Sequence, residues 1–290
     1  MQTGGATIQG QDPNRVAEHP MFWTRRQMLK ASSGALAALT IEPLAWARSN
    51  SPAAPKASSN RVALLTGARH YRHFTNVSTA TRDAQQLGEI LRNTGGYSLV
   101  GGGVQHAIRP AAMRDQLKAL FAQSVHADRA VFFFSGYVER HPGDRQLYLL
   151  PESARIRGPD DLRRQGVGLH DDLLSGAQQA IAANPSLQLI VMIDNYVAPQ
   201  LWTRFARSPD LELRLDLPAR TLLSLAAESH RGAIDAARVG MRSSLYVAEL
   251  AHQVAHWDRS VEASFSEVGL AVSAATGRQQ QPFYRFTAEG

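Results

Sequence analysis

Short apolar runs and helical stripes take turns along most of the chain. Arg61-Val62-Ala63-Leu64-Leu65-Thr66-Gly67 is a continuous apolar run closed by glycine, the pattern of a buried strand entering a loop. From about Thr79 to Asn93, Ala84, Leu87, Ile90 and Leu91 fall on one face of a helix that Gly95-Gly96 ends. Tyr97 to Val100 predicts a second strand, and Pro110 stands where a first-turn proline belongs. Met113, Leu117, Leu120 and Phe121 form the stripe of the helix it opens. Arg129 to Ser135 carries Ala-Val-Phe-Phe-Phe, a strand buried on both faces, and Tyr148-Leu149-Leu150-Pro151 predicts a short extension strand. Leu173 to Ala183 is helical, Leu187 to Ile193 is the next core strand and Thr221 to Ala227 another. Helical patterns at 243–255 and 260–275 follow. Continuous apolar strands joined by helical crossovers predict an α/β fold, a three-layer α/β/α sandwich around a mostly parallel sheet. In such sheets chemistry collects in loops at the carboxyl ends of strands, here after Thr66, Ser135 and Ile193.

The first residues break this pattern. Thr24-Arg25-Arg26-Gln27-Met28-Leu29-Lys30 resembles a twin-arginine export signal, and the apolar segment from Ala31 to about Leu44 leads to Ala45-Trp46-Ala47, a small-x-small cleavage site. That segment contains Gly34 and Pro43 and is too short to span a bilayer. Residues 1–47 are therefore expected to be a signal with an N-terminal extension, in which Met21 is an alternative start. Residues 48–59, rich in Ser, Pro and Ala, are expected to be a linker, and 60–286 the folded domain. The expected location is periplasmic or secreted, with no integral membrane segment after cleavage.

Composition narrows the chemistry. The chain contains no cysteine, which removes disulfides, thiolate metal sites and any thiol nucleophile together. The net charge of +6 comes almost wholly from arginine, since Lys30, Lys56 and Lys118 are the only lysines. No arginine cluster interleaves with aromatics and no nucleic-acid motif occurs, so the charge reads as a solvated surface without a nucleic-acid partner. His252 and His256 share a helical face but lack the glutamate of a zinc-peptidase motif and an evident third ligand, so no metal is assigned. Gly101-Gly102-Gly103 lacks the Gly-Lys-Ser/Thr of a phosphate loop, and no cofactor is expected. Ser135 and Ser224 lack the nucleophile elbow of serine hydrolases, and Ser229-His230 are only neighbours in sequence. Asp171-Asp172 suits the start of a helix. His70 and His73, in the first strand-end loop, read as surface residues that lie near any ligand bound there.

Several segments together resemble the caspase-like peptidases of family C14, in particular the bacterial metacaspase and orthocaspase group. The opening strand followed by Tyr71 is similar to that family's first strand, and Arg82-Asp83-Ala84 to its Asn-Asp-Ala. Phe132-Phe133-Phe134-Ser135-Gly136 is similar to the strand that runs into Gly-His-Gly, and Leu147-Tyr148-Leu149-Leu150-Pro151 to Asn-Tyr-Leu-Leu-Pro. Ile190-Val191-Met192-Ile193-Asp194 is similar to the strand before Ala-Cys-Arg, and Ala275-Thr276-Gly277-Arg278-Gln279 with Pro282 to the terminal Thr-Gly-Gly-Arg-Gln…Pro. The resemblance implies a caspase-like fold.

It also implies where catalysis would sit. The family's general-base histidine falls at Tyr137 and its nucleophilic cysteine at Tyr196, while the glycine beside the histidine falls at Val138. A phenol titrates near 10, so only about a thousandth is ionised at neutral pH, and its bulk fills the space a substrate carbonyl needs. The expectation is a pseudopeptidase that binds a protein or peptide in the cell envelope without cutting it. Acidic residues at the positions of Asp83 and Asp194 help family members hold arginine or lysine, so the resemblance implies substrate-binding roles for both. Each also has a structural reading, Asp83 as a helix cap and Asp194 as a loop brace. The acidic residue normally found two after the cysteine is lost at Ala198. Two alternatives stay open, a cysteine-independent endopeptidase with reassigned residues and a purely structural envelope component, and the oligomeric state stays open with them.

Overall fold

The computed structural model describes residues 60–201, 215–228, 232–234, 240–258 and 260–288. The signal and linker expected at 1–59, and Ser229-His230, lie outside the described residues. Strand β1 (Arg61–Gly67) is followed by helix α1 (Ala80–Asn93), the two-residue β2 (Ser98–Leu99) and β3 (Gln105–His106), and α2 (Pro110–Ser124). Next come β4 (Arg129–Arg140), β5 (Leu147–Leu149), α3 (Pro159–Gln165) and β6 (Val167–Gly168). A π-helical turn over Leu169–Leu174 leads into α4 (Ser175–Ala183). The chain continues through β7 (Gln188–Tyr196), β8 (Thr221–Leu225), α5 (Leu245–Gln253), α6 (Val261–Ala275) and β9 (Phe283–Phe286).

The main sheet runs in the order β2-β1-β4-β7-β8-β9. All neighbours are parallel until β9, which pairs antiparallel with β8. β3 adds to the carboxyl end of β1, and β5 with β6 forms an antiparallel flap on the end of β4. Side-chain alternation sends the two faces of the sheet to two cores. Leu64, Phe132 and Val191 pack with Met113, Leu117, Leu120 and Leu173. Leu65, Phe133 and Met192 pack with Leu87, Leu91, Leu250 and Phe265 from α1, α5 and α6. The expected α/β/α sandwich is thus the observed fold.

Element boundaries differ from the sequence pattern where pairing outruns hydrophobicity. β4 was expected to stop at Ser135 but continues through Gly136-Tyr137-Val138-Glu139-Arg140, because Val138, Glu139 and Arg140 pair with Leu149, Tyr148 and Leu147. β7 likewise reaches Tyr196, paired with Tyr137. The second strand shrinks to Ser98–Leu99 because a tight turn at Val100–Gly102 follows it, with Gly101 at positive φ. Asp171 and Asp172 do open a helical segment, but one with π geometry. There the Asp172 carboxylate accepts from Gly168 N–H at 2.8 Å and from Arg114 at 2.8 Å.

Phe133 sits at the centre of β4, fully buried between β1 and β7. Phe133→Ala is expected to cost about 3–5 kcal/mol of unfolding free energy, read as a lower denaturant midpoint, because neighbouring strands cannot close on the void.

Candidate functional site

The sequence-derived residues converge at the carboxyl ends of β1, β4 and β7. Ser135 and Asp194 are register partners on adjacent strands, and so, two positions on, are Tyr137 and Tyr196. The alternation that sends Phe133 and Met192 to the α1, α5 and α6 side sends Ser135 and Asp194 there too. Asp83, in the first turn of α1, meets them from that side.

Both carboxylates are completely buried. Asp194 Oδ2 accepts from the Ser135 hydroxyl at 2.9 Å. Asp83 Oδ1 accepts from the Ser243 hydroxyl at 2.6 Å and from Ser244 N–H at 3.1 Å. Ser244 in turn caps α5 by accepting from Val247 N–H at 3.1 Å. Asp83 therefore does not cap its own helix, as one reading of the sequence had it, but fixes the entry to α5. Among the described residues, no direct hydrogen bond reaches Oδ1 of Asp194 or Oδ2 of Asp83. Burial pushes the Asp194 carboxyl up to about 8, and the Asp83 carboxylate adds to the rise. The hydroxyls of Ser135, Tyr196 and Ser244 oppose it without cancelling it. Burial also raises Asp83, against the pull of Ser243 and Thr79. Two interacting carboxyls withdrawn from water resist ionising together, so burial and mutual repulsion both favour the protonated form.

The Tyr196 ring is buried in the core that holds Tyr71 and Tyr137, while its hydroxyl lies 3.4 Å from Thr79 Oγ1 and on the Asp194 side. Tyr137 is equally buried but belongs to an aromatic cluster, with ring centroids 4.6 Å from Tyr71 and 6.0 Å from Phe74. The Tyr71 hydroxyl donates to Leu150 C=O at 2.9 Å and accepts from Tyr137 N–H at 2.8 Å. Gly136 makes room for it, since a Cβ there would stand 2.6 Å from that hydroxyl. Desolvation holds the Tyr71 phenol well above its ordinary value, so it stays a donor. Val138 lies in the β4–β5 ladder, and the Ala198 amide donates to the buried Glu139 at 3.3 Å.

Some of these contributors were not anticipated from the sequence. Glu139 was missed because it follows the apolar run, and its burial comes only from the flap. Asn195 was not among the residues singled out from the sequence. Its side chain accepts from Ala227 N–H at 3.0 Å and donates to Ala227 C=O at 3.1 Å, fixing the end of β8 against β7. A buried amide at a strand end was the one available signal. His70 and His73 are exposed in the first loop, whose Arg69 and His70 amides donate to Glu152 at 2.8 Å and 2.9 Å. His252 and His256 are exposed on α5 and the short turn after it, away from this centre.

A sheet of this order, with its polar residues gathered at parallel strand ends, defines a caspase-like α/β protein. The family model of the caspase domain, peptidase C14, matches residues 60–289, so the chain belongs to the caspase (C14) family. Solved structures agree on the fold. The Drosophila initiator caspase Dronc superposes with a TM-score of 0.56 at 12% identity, over 78% of this chain and 79% of that one. Caspase-1 from Spodoptera frugiperda gives a TM-score of 0.54 at 13% identity, over 80% and 88%. At such identity the likeness speaks for the fold alone. None of the curated proteins is similar in sequence to the chain.

The protonated form favoured in the buried pair makes stability fall with pH. A carboxyl whose folded value is raised contributes its neutral-form stability fully below its ordinary value of 3.8, and loses it as pH rises through about 8. The melting temperature is expected to decline between about pH 5 and pH 9, and Asp194→Asn, which cannot ionise, to flatten that decline. Parallel profiles for the two proteins would contradict the assignment.

Proposed function

We propose that the chain is a caspase-fold pseudopeptidase of the metacaspase-like type, a module that binds a protein or peptide segment without cleaving it. The observation that carries this reading is the pair of tyrosines on adjoining strands at the positions expected of the base and the nucleophile. Both rings are buried, at 4% and 3% exposure, and the chain holds no cysteine to take the nucleophile's part. A hydrolytic dyad needs an exposed nucleophile within reach of a base and a substrate carbonyl. Here the first ring is packed among Tyr71 and Phe74, and the second faces Thr79 and the carboxylate pair.

The closed arrangement bears on the role expected of Asp83 and Asp194. Both acids are buried, so a guanidinium can reach them only where the packing around them opens and the pair gives up its proton. In the closed state the two carboxyls brace α1, β7 and the start of α5. Ligand binding is therefore assigned to the open surface around the strand ends rather than to this pair. An export route through the twin-arginine pathway and a periplasmic setting belong to the same proposal, on the strength of Arg25-Arg26 and Ala45-Trp46-Ala47.

The test is peptide hydrolysis by the purified protein beside a Tyr137→His/Tyr196→Cys variant, with arginine, lysine or aspartate before the scissile bond. The natural protein is expected to be silent. Cleavage after arginine gained by the variant would show that removing the Tyr196 ring opens the carboxylate pair. Turnover by the natural protein that disappears on mutating His70 or Tyr196 would overturn the proposal in favour of a reassigned peptidase.

A further inference from the structure

The turn between β4 and β5 holds a buried histidine that the strand-end chemistry does not use. His141, the residue after β4, is 3% exposed. Its Nδ1 accepts from the Gly143 and Asp144 amides, both at 3.1 Å. A ring nitrogen that accepts carries no proton, so the neutral ring has its single N–H at Nε2. That Nε2 is buried, and among the described residues no hydrogen bond reaches it. The imidazole therefore serves the turn through Nδ1 alone, and only while it is neutral.

The turn depends on that contact. The His141 amide donates to Gln146 C=O at 3.0 Å and the Arg145 amide to His141 C=O at 3.1 Å, so the chain reverses within residues 141–146. Arg145 takes a φ of 59°, a left-handed conformation that residues other than glycine seldom adopt. The amides bound at Nδ1 hold the chain in this shape. β5 leaves the turn, and the Leu150 amide beyond it donates to Tyr137 C=O at 2.9 Å while the Leu150 carbonyl takes the Tyr71 hydroxyl. Two residues on, Glu152 pins the Arg69 and His70 amides. The loops so ordered frame an open cavity of about 320 Å³ beside the tyrosine pair, with Phe74, Ile156 and Leu201 in its lining.

The charged and titratable groups around the ring set what a second proton would meet. From the turn itself, Asp144 Oδ1 lies 3.2 Å from Nδ1 but already accepts from the Gln146 amide at 3.2 Å. Its Oδ2 accepts from the Tyr148 hydroxyl at 3.0 Å and from Arg163 at 3.1 Å. Tyr148, on β5, stands with its ring centroid 6.1 Å from the imidazole. From α3 come Arg163 and Asp160, paired with each other at 3.3 Å. Burial holds the imidazole below its ordinary value, Asp144 and Asp160 pulling it back and Arg163 adding to the fall.

We infer that His141 is an acid-released latch, in which a proton at Nδ1 displaces the Gly143 and Asp144 amides, opens the β4–β5 turn and loosens the flap with the loops that Glu152 pins. An imidazolium would set an N–H against two others, so the ring must leave the amides before Nδ1 can donate to Asp144. Linkage gives the sign. The neutral ring favours the closed turn, and its contribution is complete above the ordinary value of 6.5 and lost as pH falls below it. The buried acid pair acts in the opposite direction, losing its contribution as pH rises. As a control on ligand binding the latch rests on the strand-end reading above, whereas as a property of the turn it stands alone.

The experiment follows amide hydrogen exchange by NMR between about pH 7.5 and about pH 5, corrected for the intrinsic pH dependence of exchange. Protection of the Gly143, Asp144 and Leu150 amides is expected to fall by about tenfold or more over that range. In His141→Asn, whose side-chain oxygen can accept in the place of Nδ1 and does not titrate, protection should stay level. Unchanged protection in the natural protein, or an equal fall in the variant, would overturn the inference. Should the variant lose the turn at neutral pH, the natural protein still decides. The His141 ring signal must titrate below about 6.5 and in step with the lost protection, and a ring that titrates above that value sinks the latch. Peptide cleavage or failure to bind a peptide would refute the functional reading and leave these exchange readings untouched.

Discussion

The Tyr71 hydroxyl is the point on which the strand-end surface turns. It holds the Tyr137 amide and the Leu150 carbonyl at once, and so joins the loop after β1, the end of β4 and the start of the segment after β5. Both backbone groups are buried, and a buried amide or carbonyl without a partner costs about 1–3 kcal/mol. Gly136 is the concession that permits the contact, because any side chain there would meet the phenol oxygen. The aromatic cluster of Tyr71, Phe74 and Tyr137 then closes over the bridge and supplies part of the neighbouring cavity floor. A single hydroxyl thus sets the relative position of a tyrosine at a dyad position and of the loops that frame this cavity.

A second polar centre lies across the sheet, with different physics. Ser135, Asp194 and Asp83 stand where parallel strand ends leave polar groups without ladder partners, the place where this class of fold gathers its chemistry. An acid pair open to water would be ionised, ready for a cation. This one is buried, its Asp194 lifted to about 8 against the pull of the Ser135, Tyr196 and Ser244 hydroxyls.

The sheet was legible in the sequence because its strands are buried on both faces. Val62 to Leu65, Val131 to Phe134 and Leu189 to Ile193 are apolar without interruption, as strands buried on both faces must be. The helices α1, α2 and α6 were legible from their stripes and from Pro110 and Ser260 at their starts. What pairing alone decides was not legible. The polar end of β4 becomes strand only because β5 arrives beside it, and β9 (Phe283–Phe286) carries no signal that separates it from a loop. At the site, Asp83, Asp194, Tyr137 and Tyr196 were all named from the sequence, but their burial was not. A carboxylate written in a sequence reads as charged. Only the packing of α1 and the start of α5 around these two withdraws them from water and favours their protonated forms.

The same packing shows how the fold accommodates tyrosines at Tyr137 and Tyr196. Catalytic groups are costly to a fold when they must be exposed, strained or held charged in poor solvent. Two buried tyrosines carry none of these costs, and Tyr137 adds aromatic contacts to the core. What such a domain keeps is its surface, and that surface is shaped by loops rather than by the dyad. Arg155 and Arg157 hang on the segment after β5, and His73 on the loop after β1. Glu152 holds the two together without reference to Tyr196. The ties that order these loops are therefore mechanically separable from the tyrosine at the end of β7.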